Sequence, residues 1–294
     1  MKKLNNKWQY MLLIGATATG KTLLAAQIAK KFDAVIVNCD SMQIYDALPI
    51  LTAQPQANIR QEAPHYLFSY VKPDRLYSVG QWLYDVGQLL HIERKIIFVG
   101  GTGLYFNALL GNISPMPDID KDVRDYWRTE LLAGSVENLY FILKNTDSDA
   151  AANIKPSDGQ RIVRALEVWH STGKSITYWQ KQKSIPLLAE QKVEKYVIQL
   201  GKEKLYSNIN NRVEKMVEQG VIEEVEMFLQ KNIDKTFTSM RAIGINEFSA
   251  YLDGKCSLPD TIELVKIRTR QYAKRQLTWQ RHQLNESWNI YAAI

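Results

Sequence analysis

An octapeptide near the start of the chain, Gly15-Ala16-Thr17-Ala18-Thr19-Gly20-Lys21-Thr22, limits what can be built around it more than any other stretch. Its spacing of glycine, four residues and then Gly-Lys-Thr is that of a loop that wraps phosphate. Gly15 and Gly20 allow backbone conformations in which successive N–H groups turn inward on an anion. Lys21 adds a point charge for the terminal phosphate, Thr22 a hydroxyl for a Mg²⁺ ion, and the helix beginning there its positive dipole end. The flanks agree. Residues 10–14 form a short apolar run of buried-strand type, and Leu23, Leu24, Ile28 and Phe32 recur at helical spacing. Strand, loop and helix in that order predict an α/β fold whose parallel-sheet core carries the phosphate loop.

With 294 residues and 46% hydrophobic content, the chain can bury one large core or two. No apolar run approaches the ~20 residues of a membrane span. The opening Met1-Lys2-Lys3 leads into polar Asn5 and Asn6 rather than a signal-peptide core, so a cytoplasmic protein with no membrane partner is expected. Two cysteines, Cys39 and Cys256, are too few for a disulfide framework or a cysteine-rich zinc site. The formal charge of +6 permits a polyanionic partner without requiring one.

Beyond the loop helix, residues 34–37 read as a second strand ending at Asp40-Ser41-Met42-Gln43. Open α/β sheets place ligands at the carboxyl ends of their strands, which makes Asp40 a candidate acid–base group; the alternative is a turn cap. Residues 52–55 and 63–67 are proline-punctuated loop signals, and Ser78 is placed to cap a helix through Trp82, Val86 and Leu90. Residues 95–99 form a third strand, running into Gly100-Gly101-Thr102. In nucleotide-hydrolysing members of the phosphate-loop class, such a strand ends in a metal-binding aspartate. Here two glycines and a threonine suit close backbone approach to a ligand, with Thr102 as hydroxyl donor.

Residues 114–118, with two prolines, mark a boundary, and the pattern from about 121 to 182 is helical and strand-poor. The expected organisation is a catalytic core of residues 1–114 and 193–294, interrupted by a helical insertion domain at 115–192. In the insertion, Ser157 or Asp158 caps a helix on which Arg161 and Arg164 share a face. Strand character returns at 193–200, followed by a helical tail from Leu205 that includes Arg212. Arg241 stands near Gly244, a local anion-site signal. Near the end, Lys266, Arg270, Lys274 and Arg281 fall within an arc of about 80° on one helix, a basic stripe suited to phosphate or nucleic acid.

Taken together, these segments resemble the tRNA dimethylallyltransferases. The resemblance runs nearly end to end: residues 15–22, 40–45, 52–55, 64–67, 100–102, 160–167, Ile243-Gly244 with Glu247, and 269–276. The chain departs from the family at Ala16, usually Pro, at Thr19, usually Ser, at Tyr66, usually a second His, and at Ile245-Asn246. No zinc finger of the kind found at the end of eukaryotic relatives is expected, which resembles the bacterial form.

The resemblance implies transfer of a dimethylallyl group from dimethylallyl diphosphate to N6 of adenosine 37 in the tRNA anticodon stem-loop, using Mg²⁺; a monomer is expected, although no motif in the chain fixes the oligomeric state. The phosphate loop then holds a leaving group. In that reading Gly15, Ala16, Thr17, Ala18, Thr19, Gly20, Lys21 and Thr22 bind the diphosphate together with Arg212 or Arg241, and Thr22 holds the metal. Asp40 takes the N6 proton and Thr102 stabilises the departing charge. Asp40, Ser41, Met42, Gln43 and Thr102 meet the adenosine, while Arg124, Gln160, Arg161, Ile162, Val163 and Arg164 grip the stem-loop. Two other readings fit the loop: a small-molecule or nucleoside kinase that transfers phosphate from ATP, and an RNA-binding module in which the loop merely grips backbone phosphate.

Overall fold

The computed structural model describes residues 7–182, 184–188 and 192–292. The chain divides into two compact units, Met1–Leu109 with Leu187–Ile294, and Leu110–Pro186.

The first unit is built on a six-stranded sheet of β1 (Tyr10–Gly15), β2 (Val35–Asn38), β3 (His65–Tyr66), β4 (Ile96–Gly100), β5 (Val193–Gln199) and β6 (Asn289–Ala292). The order is β3-β2-β4-β1-β5-β6 and every pairing is parallel. Central β1, β2 and β4 are apolar along nearly their whole length because both faces of a parallel sheet are covered by helices. Those in the amino-terminal part are α1 (Lys21–Phe32), α2 (Ala57–Arg60), α3 (Val79–Leu89) and α4 (Gly103–Leu109). On one face Ala25 and Ala29 of α1 sit against Met11, Leu13, Ile36, Ile97 and Val99, small residues letting the helix lie close to the strands. Ser78 caps α3 with a full capping box to Gln81, and Trp82 and Val86 are buried, as their spacing predicts.

One expectation is corrected at the sheet edge. The Pro64-led stretch reads as loop, yet His65 and Tyr66 pair with Ile36 and Val37 as β3. An edge strand of two residues tolerates the adjacent proline because little pairing is asked of it.

The second unit holds α5 (Lys121–Ala133), α6 (Val136–Thr146), α7 (Ser148–Asn153), α8 (Gly159–Thr172) and α9 (Ile176–Gln180) around Trp127, Leu143, Ile162 and Leu166. Asp158, not Ser157, caps α8. Buried Asp147 caps α7 through the Ala150 amide and also accepts the Thr177 hydroxyl at 2.9 Å, tying α9 to the bundle.

The chain then returns to the first unit with β5, α10 (Lys202–Glu218), α11 (Val221–Leu229), α12 (Ile245–Leu252), α13 (Leu258–Gln283) and β6. Helices α10 to α13 enclose a second apolar cluster that includes Val213, Met216, Phe228, Phe248 and Val265. The basic stripe on α13 is not the open surface its spacing suggests. Lys266 is 7% exposed and donates to Glu214 at 2.9 Å and Glu263 at 2.8 Å, while Arg270 donates to Asn210 at 2.9 Å. Half of the stripe is therefore spent within the fold. Among the described residues no helix is long and apolar enough to cross a membrane.

Candidate active site

The carboxyl ends of β1, β2 and β4 deliver three loops to one edge of the sheet, the place where open α/β folds bind ligands. After β1, residues 15–22 turn into α1 as a tight loop. Ala18 and Gly20 take left-handed φ of 62° and 82°, the backbone alternation from which N–H concavities are made. Gly15 serves differently, by close approach: a Cβ there would lie 2.6 Å from the Thr19 hydroxyl. That hydroxyl donates back to the Ala16 carbonyl at 2.8 Å, and Lys21 Nζ reaches the same oxygen at 3.3 Å. Burial lowers the Lys21 pKa to about 8, with Arg212 adding to the fall and Asp40 opposing it.

Two residues to which the sequence analysis assigned no role pin this loop. Gln276 of α13 accepts the Thr17 amide at 2.8 Å and donates to the Gly101 carbonyl at 3.0 Å. Asn208 of α10 donates to the Ala18 carbonyl at 3.1 Å. Gln276 lies in the 269–276 segment of the resemblance and Asn208 in no such segment, but neither shows a role along the chain, since each acts only once its helix is packed beside the loop.

After β2, Asp40 is held by short-range bonds. Its amide donates to Asn38 Oδ1 at 2.8 Å, and its Oδ1 accepts the Met42 amide at 3.0 Å. The turn-cap alternative is thus real for one oxygen of this half-buried carboxylate. After β4, Thr102 is committed to the same turn: its Oγ1 accepts the Ser41 amide at 3.0 Å. The Gly100-Gly101 pair serves close approach, as read, but to protein rather than ligand. A Cβ on Gly100 would overlap the Cys39 carbonyl, and one on Gly101 would overlap the Gln276 amide. Gln43 is likewise an anchor, 8% exposed and donating to the Thr52 and Ala53 carbonyls.

Asp40, Ser41, Met42, Thr17, Arg212 and Arg241 line one cavity of about 230 Å³, and its remaining wall is largely apolar, with Leu51, Val213, Met216 and Val265. The two candidate arginines now differ. Arg212 is half-buried and donates to the Thr17 hydroxyl at 2.6 Å, in contact with the phosphate loop itself. Its Nε is buried with no partner among the described residues. Burial pulls its pKa down while Asp40 holds it up. Arg241 lines the cavity from a short 3₁₀ turn, Thr238–Arg241, and is more exposed. Arg212 and Met216 also border a second cavity of about 690 Å³, which reaches Gly20 and Thr22. Anion cradle and carboxylate are therefore reached from cavities that share one guanidinium.

In the helical unit, Arg161 is exposed and within 3.4 Å of Asp158, and Arg164 pairs with buried Glu167. Arg124 donates to the Ile119 carbonyl at 3.3 Å. Ile162 and Val163 are 0% and 4% exposed inside the helical cluster, so the expectation of RNA contact is corrected for their side chains: the helical period turns them inward.

Fold and site define a phosphate-loop protein of the parallel α/β class, in which a carboxylate and the phosphate loop meet at a cavity that is apolar on one side and lined by Arg212, Arg241 and Arg275. Comparison with known proteins narrows this. Residues 43–283 match the family model described as IPP transferase, and residues 8–68 the one described as isopentenyl transferase. A tRNA dimethylallyltransferase of Bartonella henselae is 49% identical over 281 residues, 95% of this chain and 97% of that protein. Among solved structures, the full-length tRNA isopentenylpyrophosphate transferase of Bacillus halodurans is 30% identical with a TM-score of 0.67, covering 97% of this chain and 90% of that one. A eukaryotic dimethylallyltransferase acting on tRNA is 27% identical with a TM-score of 0.74, covering 92% and 69%. The chain belongs to the IPP transferase family. These relatives do not favour the kinase reading.

Proposed function

We propose that this protein transfers the dimethylallyl group of dimethylallyl diphosphate to N6 of adenosine 37, in tRNAs reading codons that begin with U, acting as a monomer in the cytoplasm. The relatives named above carry tRNA prenyl transfer in their names. The observation that carries the reading to these residues is the cavity in which Asp40 faces Arg212, with Arg212 bonded to the phosphate loop.

In the proposed step the allylic C–O bond breaks as the N6 lone pair forms the new C–N bond. The electron pair of the broken bond stays on diphosphate, and the N6 proton goes to Asp40. Lys21, Arg212 and the loop amides stabilise the growing charge on the leaving group. The buried, unpartnered Nε of Arg212 fits a diphosphate oxygen. Met42, Leu51, Val213 and Met216 enclose the five carbons and keep water from capturing the allylic centre. Ser41 and Met42 border the same space and would meet the adenine, which leaves its stack to enter. Thr102 acts through Ser41, holding the turn that carries Asp40.

A Mg²⁺ ion fits at Thr22, half-buried in the first turn of α1 and bordering the larger cavity. No cluster of three or more acidic, histidine or cysteine side chains able to hold a metal exists among the described residues, so the ion would draw its other ligands from diphosphate and water, as Mg²⁺ commonly does. It would supply charge neutralisation on the leaving group. Arg124, Gln160, Arg161 and Arg164 would hold the anticodon stem-loop through its backbone.

Incubation of the pure protein with labelled dimethylallyl diphosphate and unmodified tRNA should put label on RNA, while labelled ATP should transfer no phosphate. Label absent from RNA under conditions where another member of the family works would overturn the proposal.

A further inference from the structure

Away from the Asp40 cavity, the first unit carries a cavity of about 830 Å³ between the carboxyl-terminal half of α13, the start of α10 and strands β5 and β6. Its wall is mainly apolar, with Leu200, Leu205, Leu277 and Trp288. Among the polar side chains that line it, Gln280 is the buried one. Gln280 is 5% exposed, and among the described residues neither its Nε2 nor its Oε1 has a hydrogen-bond partner. A buried carboxamide left without either bond keeps the full desolvation penalty of both groups, so such a pair in a folded protein calls for an occupant that supplies both. One turn earlier on the same helix, Gln276 uses both of its amide atoms, which shows that the α13 face is built to spend them.

The rim adds charge. Lys202, Lys274 and Arg281 border the cavity, none with an acidic partner among the described residues, against the single acid Glu286. Lys274 and Arg281 complete the α13 stripe; Arg281 donates only within its own helix, to the Leu277 carbonyl at 3.4 Å and the Thr278 hydroxyl at 3.3 Å, and the active-site reading leaves both unused.

We propose that this cavity binds a purine nucleotide. The Gln280 carboxamide would pair with an adjacent donor and acceptor on the base edge, the bidentate match a glutamine makes with adenine N6 and N7. The leucines and Trp288 cover the faces of the base, and the rim cations take the phosphate. A hydrocarbon tail would fill the walls but leave Gln280 unpaired, which is why a base is preferred over a lipid. The volume lies within the range of ordinary small-ligand sites. The same chemistry is offered by a free nucleotide and by a residue of single-stranded RNA, and the experiment separates them.

Calorimetry on the full chain, with inorganic diphosphate in excess to fill the phosphate loop, should detect AMP or a short oligoadenylate binding at one site. Gln280→Leu should weaken that binding at least tenfold while leaving diphosphate affinity and the melting temperature unchanged or slightly raised. Arg281→Ala, at an exposed position, should weaken it too and serves if the first variant folds poorly. AMP binding as tightly as the oligonucleotide assigns the site to free nucleotide; oligonucleotide binding alone, sensitive to Gln280, assigns it to RNA. No binding of either probe beside diphosphate would overturn the proposal and leave water as the partner of Gln280. Binding indifferent to both substitutions would overturn it equally.

Discussion

Lys21 is 8% exposed and, among the described residues, has no carboxylate within ion-pair distance. Burial lowers its pKa to about 8, so in the free protein its charge is present below that pH and lost above it. A bound diphosphate favours the charged form, and above pH 8 binding must take up a proton. Donor affinity should therefore be full below pH 8 and fall by up to about tenfold per unit above it, a slope read by calorimetry between pH 7 and 9.5. Lys21→Ala should weaken the donor and abolish the slope. Asp40→Ala should leave donor affinity near normal and cut single-turnover transfer by about 10²- to 10⁴-fold, the usual weight of one acid–base group. Turnover within a few-fold of the parent would remove Asp40 from the role. Gly100→Ala should cost stability, on the order of 1–3 kcal/mol, since its Cβ meets backbone that cannot rotate away; thermal melting reads this directly.

Helix α13 is where element and site are coupled. It is 26 residues long, capped by Ser257, and it contributes to the site through a side chain whose bonds reach two strand-end loops at once. Gln276→Leu should raise the KM for the prenyl donor more than it lowers kcat, because it frees the loop without touching Asp40. Gln276→Glu keeps the acceptor for Thr17 but loses the donor to Gly101, and should fall between the two. Equal losses in all kinetic terms, tracking stability alone, would show that Gln276 supports only packing.

Across the whole molecule, the sheet-based unit contains the phosphate loop and Asp40, and the helical unit contains the exposed Arg161 proposed above to meet RNA. Contacts to RNA phosphate release counterions, so tRNA affinity should fall with salt. Arg161→Ala should lower the slope of log affinity against log salt by about one while leaving prenyl transfer at saturating tRNA unchanged. An unaltered slope would take Arg161 out of the interface.

The phosphate loop, the three strands that end at the site, the carboxylate at Asp40 and the helical character of residues 121–182 were legible in the chain because each depends on local spacing: turn glycines, apolar runs and 3.6-residue periodicity. Packing alone could decide which of Arg212 and Arg241 touches the loop, that Gln276 and Asn208 pin it, that Gly100 makes room for Cys39 rather than for a ligand, and that half of the α13 stripe is internally paired. These depend on residues separated by up to 259 positions being brought within hydrogen-bond reach. Local order along a chain encodes which way a side chain can face; only the closed tertiary structure decides what it meets there.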